Sequence, residues 1–223
     1  IQKEIKANSV EILSAFQLES ALPEGRANGE LQRTLDQIER FVELLEEGSF
    51  IQATLNTNGL DLRKMLYPIG PLVVFGASNF PLAFSTARGD TISALAAGCP
   101  VVVKAHPYHA GTSELVAQAI HLAIKKSKVP TEAFSHLGGQ SHELGMSLVS
   151  HPLVKGVGFT GSFTGGKSLF DLVQQREEPI PFFAEMGSVN PVFILENKVK
   201  KDSTLPTALA SSITLGTGQF CTN

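Results

Sequence analysis

Apolar residues recur at helical spacing through the opening part of the chain. Ile1, Ile5, Ile12 and Phe16 form one stripe, and Leu31, Leu35, Ile38, Val42 and Leu45 form another. Spacings of three, four or seven residues predict two amphipathic helices, each with one face turned inward. Pro23 separates them and Gly48 ends the second. Over 56–66 the sequence NTNGLDLRKML carries an Asn58-Gly59 turn signal within mixed polarity, which predicts an exposed hairpin or an irregular connector.

From Pro71 the pattern changes. Leu72-Val73-Val74-Phe75 is a short apolar run closed by Gly76, and a helix is predicted over 81–97 with Pro81 in its first turn. Val101-Val102-Val103 is the next strand, followed by a helix over 112–126, a strand over 133–137 and a short helix over 144–149. A strand over 154–159, a helix over 163–174 and a strand over 180–184 complete the series. Repeated strand–helix units predict an α/β fold built on a doubly wound parallel sheet. Such sheets bind ligands beyond the carboxyl ends of their strands. That rule singles out Gly76-Ala77-Ser78-Asn79, Lys104-Ala105-His106, Thr160-Gly161-Ser162 and Glu185-Met186-Gly187.

Composition narrows the possible functions. With 223 residues, 43% hydrophobic, the chain can bury a sizeable core and makes one large domain or one and a half. A net charge of −3, a pI near 6.1 and the lack of a basic stripe argue against nucleic acid as a partner. No apolar stretch approaches the roughly 20 residues of a membrane span, so a soluble protein with no membrane partner is expected. Two distant cysteines give no disulfide framework and point to a reducing, cytoplasmic setting. The chain opens without Met or a signal peptide and stops two residues after Cys221, which reads as an internal piece of a longer polypeptide.

The two cysteines differ in context. Cys99 lies in Ala96-Ala97-Gly98-Cys99-Pro100-Val101 and reads as buried and structural, whereas Cys221, in Gly218-Gln219-Phe220-Cys221-Thr222-Asn223, follows a predicted helix among small and polar residues and reads as placed for chemistry. Gly156-Val157-Gly158-Phe159-Thr160-Gly161 matches Gly-x-Gly-x-x-Gly, but its first two glycines fall inside a predicted strand rather than in the turn after it, so we read the match as coincidence. The turn 159–166 leads into a helix N-terminus able to hold a pyrophosphate, or simply packs tightly. Lys104, ending a buried strand, either reaches solvent or binds a ligand. His106 and His109 lack a third ligand at sensible spacing, so no metal is expected, and His121, His136, His142 and His151 are scattered. Glu185 is bordered by apolar residues whose desolvation would raise its pKa and suit a general base; a salt bridge at the sheet edge is the other reading. Asn79 either offers its amide at the mouth of the first strand or caps the following helix.

Together these stretches resemble the aldehyde dehydrogenase superfamily. The resemblance is carried by Asn79-Phe80-Pro81, Val103-Lys104, Phe159-Thr160-Gly161-Ser162, Glu185-Met186-Gly187-Ser188-Val189-Asn190-Pro191 and Gly218-Gln219-Phe220-Cys221, with 221 − 185 = 36 residues between Glu185 and Cys221. Within the superfamily the stretches 76–85, 98–107 and 218–223 look most like the 2-oxoglutarate semialdehyde (2,5-dioxopentanoate) dehydrogenases and the NADP-dependent fatty aldehyde dehydrogenases. The resemblance implies a dinucleotide-binding domain over 1–188, with N-terminal helices and a connector near 56–68, and the incomplete beginning of an α/β catalytic domain over 189–223. It implies oxidation of a small-molecule aldehyde to an acid, with Cys221 as nucleophile through a thiohemiacetal and a thioester, Asn79 holding the oxyanion and Glu185 activating water. Ala77, Ser78, Lys104, His106, Pro107, Thr160, Gly161, Ser162 and Gly166 would then contact the cofactor. NADP, or NADP before NAD, is the expected cofactor, because Pro107 stands where many members carry an acidic residue that repels a 2′-phosphate. A homodimer or homotetramer is implied as well.

Arg88 departs from the small residue the resemblance leads us to expect, and reads as a solvated helix face or as a cation favouring an acidic substrate. Two other functions remain open on sequence alone. One is a CoA-acylating reductase, against which Glu185 argues, and the other is a non-catalytic nucleotide-binding piece. The 223 residues by themselves are expected to show no steady-state turnover.

Overall fold

The computed structural model describes residues 1–223. Their contacts fall into two compact units, Ile1–Glu185 and Met186–Asn223. In the first, helices α1 (Gln2–Ala7), α2 (Ser9–Ser20) and α3 (Glu24–Glu47) precede a two-stranded antiparallel hairpin, β1 (Thr54–Asn56) and β2 (Leu62–Lys64), whose residues are all exposed. The first stripe buries Ile5, Ile12 and Phe16 completely, but its helix is interrupted at Asn8, whose side chain donates to the Glu4 carbonyl at 2.9 Å. The second buries Leu31, Leu35 and Ile38, while Val42 and Leu45 stay 41% and 43% exposed. At about 1.5 Å per residue α3 is roughly 36 Å long, and its last turns outrun the core. Gly48, with φ +80°, closes it.

The sheet follows. Its strands are β3 (Leu72–Phe75), β4 (Val101–Lys104), β5 (Phe134–Leu137), β6 (Gly156–Thr160) and β7 (Phe182–Glu185), all parallel, in the order β5-β4-β3-β6-β7. Between them run α4 (Gly89–Ala96), α5 (Ala110–Ser127), α6 (His142–Ser150) and α7 (Phe163–Gln174). Val74 joins the core shared with α1 to α5, whereas the ring of its neighbour Phe75 lies against Gly145 of α6. Successive strand residues point to opposite faces, so the helices cover both sides of the sheet, as expected of a doubly wound architecture. The strand order reverses between β3 and β6, which opens the crevice that such sheets use for ligands.

The helix predicted over 81–97 is shorter than expected. Residues 80–88 form compact turns and α4 begins only at Gly89. Two features prevent an earlier start: the Phe84 carbonyl accepts from the Ala77 amide at 2.8 Å, and Arg88 is extended, with φ −72° and ψ 174°. Gly76 permits the fold-back, because a Cβ there would lie 3.0 Å from the Cα of Ser85.

The second unit contains α8 (Glu196–Lys201) and α9 (Leu205–Ile213), followed by a tight turn over 215–218 in which Gly216 and Thr217 are both left-handed. No helix in either unit is long and apolar enough to cross a membrane.

Candidate functional site

Strand register aligns the polar strand ends. Phe75 is opposite both Lys104 and Phe159, and Thr160 is opposite Glu185. The loop after β3, the end of β4, the turn after β6 and the end of β7 therefore lie along one carboxyl edge.

The loop after β3 carries Ala77, buried, Ser78, exposed, and Asn79, half-buried. Asn79 does not cap α4, whose N-cap residue is Arg88. Remote partners hold this loop. The Glu30 carboxylate, only 3% exposed on α3, accepts from the Leu82 and Ala83 amides at 3.2 Å each and from Arg26 Nε at 3.0 Å. Arg26 lies over the Phe80 ring at 4.5 Å, and Arg33 over Phe84 at 4.7 Å. Sequence reasoning missed Glu30, although Ala27, Glu30, Thr34 and Ile38 follow the same three-and-four spacing that marks the inward face. His109, 1% exposed, fixes the loop from the other side, its Nε2 lying 2.8 Å from the Ala77 carbonyl. A carbonyl only accepts, so Nε2 carries the proton.

At the end of β4, burial lowers the pKa of Lys104. Burial, reinforced by His109 and Lys104, lowers His106 to about 4. The His106 ring is therefore neutral near pH 7; its Nδ1 accepts from the Tyr108 amide at 3.2 Å, leaving Nε2 as a donor. Pro107 opens a short 3-10 turn ending at His109.

The turn after β6 leads into α7. Ser162 caps it, its Oγ accepting from Gly165 N at 3.2 Å and its carbonyl from Gly166 N at 3.0 Å, while the amides of Phe163 and Thr164 find no acceptor in the chain. Gly166 is buried, Thr160 and Gly161 are half-buried, and Gly161 N donates to the Glu185 carbonyl at 3.1 Å. Gly156 and Gly158 lie inside β6, not in this turn.

Glu185 is exposed rather than shielded by its apolar neighbours. β7 is an edge strand, paired only with β6, and Phe183 beside it is 61% exposed. No cation lies within salt-bridge distance of Glu185. Arg88, by contrast, is no solvated residue: it is 8% exposed, its Nη1 lies 3.0 Å from Asp90 Oδ2, and it donates to Thr160 Oγ1. Burial lowers the Arg88 pKa, opposed first by Asp90 and then by Glu185; burial likewise raises that of Asp90. Cys99, 4% exposed, lies with Ile69, Leu72, Val74, Asp90 and Phe183 around a cavity of about 510 Å³.

In the second unit Cys221 is half-buried, in a turn tied by its own neighbours. Its carbonyl accepts from Ser188 Oγ and, at 2.6 Å, from Asn190 Nδ2. Asn223 Oδ1 accepts from Phe220 N at 2.7 Å, and its Nδ2 donates to the Ser212 and Leu215 carbonyls at 2.7 and 3.1 Å. Gly216, with φ +55°, leaves no room for a Cβ against the buried Phe220 ring.

Residues 1–223 match the family model described as "Aldehyde dehydrogenase family". The chain is similar to Alpha-ketoglutaric semialdehyde dehydrogenase 2 of Azospirillum brasilense, with 46% identity over all of this chain and 44% of that protein. It is 48% identical to Alpha-ketoglutaric semialdehyde dehydrogenase of Acinetobacter baylyi over 92% of this chain and 40% of that one. In structure it is similar to succinate-semialdehyde dehydrogenase from Burkholderia pseudomallei, with a TM-score of 0.82 and 25% identity over 99% of this chain and 44% of that chain. The chain thus spans less than half the length of these relatives.

Proposed function

The chain belongs to the aldehyde dehydrogenase family, and from that premise we propose that a family-length protein containing it oxidises an aldehyde to a carboxylic acid. 2-Oxoglutarate semialdehyde is the proposed substrate, after the two relatives at 46% and 48% identity. The observation that carries the reading is the common carboxyl edge, along which Lys104, the Asn79 loop, the α7 N-terminus and Glu185 follow one another on either side of the reversal of strand order.

The residues along this edge fit a nicotinamide dinucleotide. The unmet amides of Phe163 and Thr164 at the start of a 12-residue helix suit a pyrophosphate. Thr160, Gly161 and Ser162 line that turn, and the buried Gly166 sets the helix close to the sheet. Ala77 and Ser78 offer small residues beside it, and Lys104, with the donor Nε2 of His106, suits the adenosine ribose. The chemistry such a cofactor supplies when bound is acceptance of a hydride. Pro107 has neither a carboxylate to repel a 2′-phosphate nor a group to bind both ribose hydroxyls, which favours NADP. Pro107→Glu should move the ratio of kcat/KM values at least tenfold toward NAD, about 1.4 kcal/mol; an unchanged ratio would leave Pro107 a loop-shaping residue only.

In the proposed reaction Cys221, as thiolate, attacks the aldehyde carbon, and the Asn79 amide stabilises the resulting oxyanion. Loss of hydride leaves a thioester on Cys221. Glu185 takes a proton from water, the hydroxyl adds to the thioester carbon, and the C–S bond breaks to return the thiolate. Glu185→Gln tests the scheme in the family-length protein: a stoichiometric burst of reduced nucleotide followed by stalled turnover is expected. Loss of the burst together with weakened nucleotide binding would instead assign Glu185 to positioning.

A further inference from the structure

Arg88 is the only lysine or arginine among the buried residues, and its surroundings explain why it tolerates burial. Asp90 pairs with Nη1 at 3.0 Å, Thr160 Oγ1 accepts from the same nitrogen, and the Phe84 ring lies 5.4 Å from Cζ. The pair sits against the sheet itself, because a Cβ at Gly158 would come within 2.7 Å of Asp90 Oδ2. The guanidinium is therefore held at the carboxyl end of β6 directly by Thr160 and, through its partner Asp90, by the room that Gly158 leaves. Thr160 is the register partner of Glu185. Nε and Nη2 of Arg88 make no hydrogen bond within the chain.

Charge decides what the unused edge of this fork serves. Arg88 pairs with Asp90 and feels the charge of Glu185, the register partner of the Thr160 that it bonds. One cation against two anions leaves the cluster net negative when all three are ionised, which disfavours an anionic substrate end. Asp90 is already paired, while Glu185 has no ion pair of its own. A planar guanidinium with two unused donors is suited to orienting a carboxylate.

We propose that Arg88 is a positioning residue for Glu185, its Nε and Nη2 edge steering the carboxylate toward the β6 side of the edge strand, where it takes the proton from the hydrolytic water. The inference rests on the reading of Glu185 as the base of thioester hydrolysis. It gives the cation a role in the step after hydride loss, and none in nucleotide binding or in attack by Cys221.

The test compares Arg88→Met and Arg88→Lys in the family-length protein, each alone and combined with Glu185→Gln, by burst and steady-state kinetics. Arg88→Met should leave the burst amplitude and the nucleotide KM unchanged and lower steady-state turnover about tenfold. Arg88→Lys should recover most of that loss. In the Glu185→Gln background Arg88→Met should cost nothing further, because the two residues act on one step. An equal loss with and without Glu185, or parallel loss of burst and turnover, overturns the proposal by making Arg88 a support of the 80–88 loop. A raised KM for acidic but not neutral aldehydes, with hydrolysis unchanged, overturns it in favour of substrate recognition. Should Arg88→Met fail to fold, Arg88→Lys decides: a smaller loss of the same kind, confined to turnover, supports the proposal, and a loss in the burst overturns it. Should Glu185→Gln itself show no split between burst and turnover, the reading of Glu185 fails. An unaltered Arg88→Met alongside a stalled Glu185→Gln fails the proposal alone.

Discussion

The loop that carries Asn79 and the turn that carries Cys221 are both irregular, and they are held in opposite ways. The first depends on residues far away in sequence: Glu30 reaches across 52 and 53 positions to the amides of Leu82 and Ala83, and His109 across 32 to the Ala77 carbonyl. The second is tied within its own unit, by Asn223 to Phe220, Leu215 and Ser212 and by Ser188 and Asn190 to the Cys221 carbonyl. A loop clamped by the core inherits the stability of the core. The Cys221 turn also draws on bonds made within a few residues of itself, and these can be broken separately from those of the core.

The largest effect should come from the turn, through chemistry rather than stability. Cys221→Ala in the family-length protein should lower aldehyde oxidation more than about a thousandfold while titration of nucleotide fluorescence remains as in the parent. Appreciable residual turnover would remove Cys221 from its proposed role.

Glu30→Ala probes the clamp. It strands two buried amides and one guanidinium nitrogen, so equilibrium urea unfolding should show a loss of about 2–3 kcal/mol. A loss below about 0.5 kcal/mol would mean that the loop after β3 does not depend on α3. Asn223→Ala should have the smallest effect on stability: an unchanged urea midpoint for Ile1–Glu185, but faster amide exchange at Phe220 and faster alkylation of Cys221. Slowed alkylation, or a shifted midpoint, would show that the turn is not locally held.

The same contrast explains what the sequence could and could not reveal. Local signals were legible. Ser162 and the glycines after it marked the start of α7, the apolar runs before Gly76 and Lys104 marked β3 and β4, and Gly48 marked the end of α3. Features decided by remote partners were not. The helix predicted from Pro81 was cut short by an extended Arg88 and by a carbonyl drawn to Ala77, while its first amides went to Glu30. Arg88 was read as a solvated helix face or as a cation favouring an acidic substrate, because nothing near it in sequence announces Thr160, 72 positions away. Glu185 was read as shielded because an apolar run looks the same on an edge strand as on a central one. The candidate residues along the carboxyl edge were legible for a simpler reason: in a parallel sheet every strand end lies at one edge, so an assignment of strands already gathers them.

The strand order also bears on how the crevice comes to exist. Leu72 pairs with Val101 at a separation of 29 residues and with Gly156 at 84. Loop-closure entropy grows as (3/2)RT ln n, so bringing β6 to β3 costs about 1 kcal/mol more chain entropy than bringing β4. We therefore expect β3, β4 and β5 to assemble first on the helices before them, with β6 and β7 added against the free side of β3. Pulse-labelled exchange during refolding should protect β4 amides before those of β6, and the reverse order would sink the idea. On this ordering the ligand crevice is a seam, left where the later half of the sheet joins the earlier one.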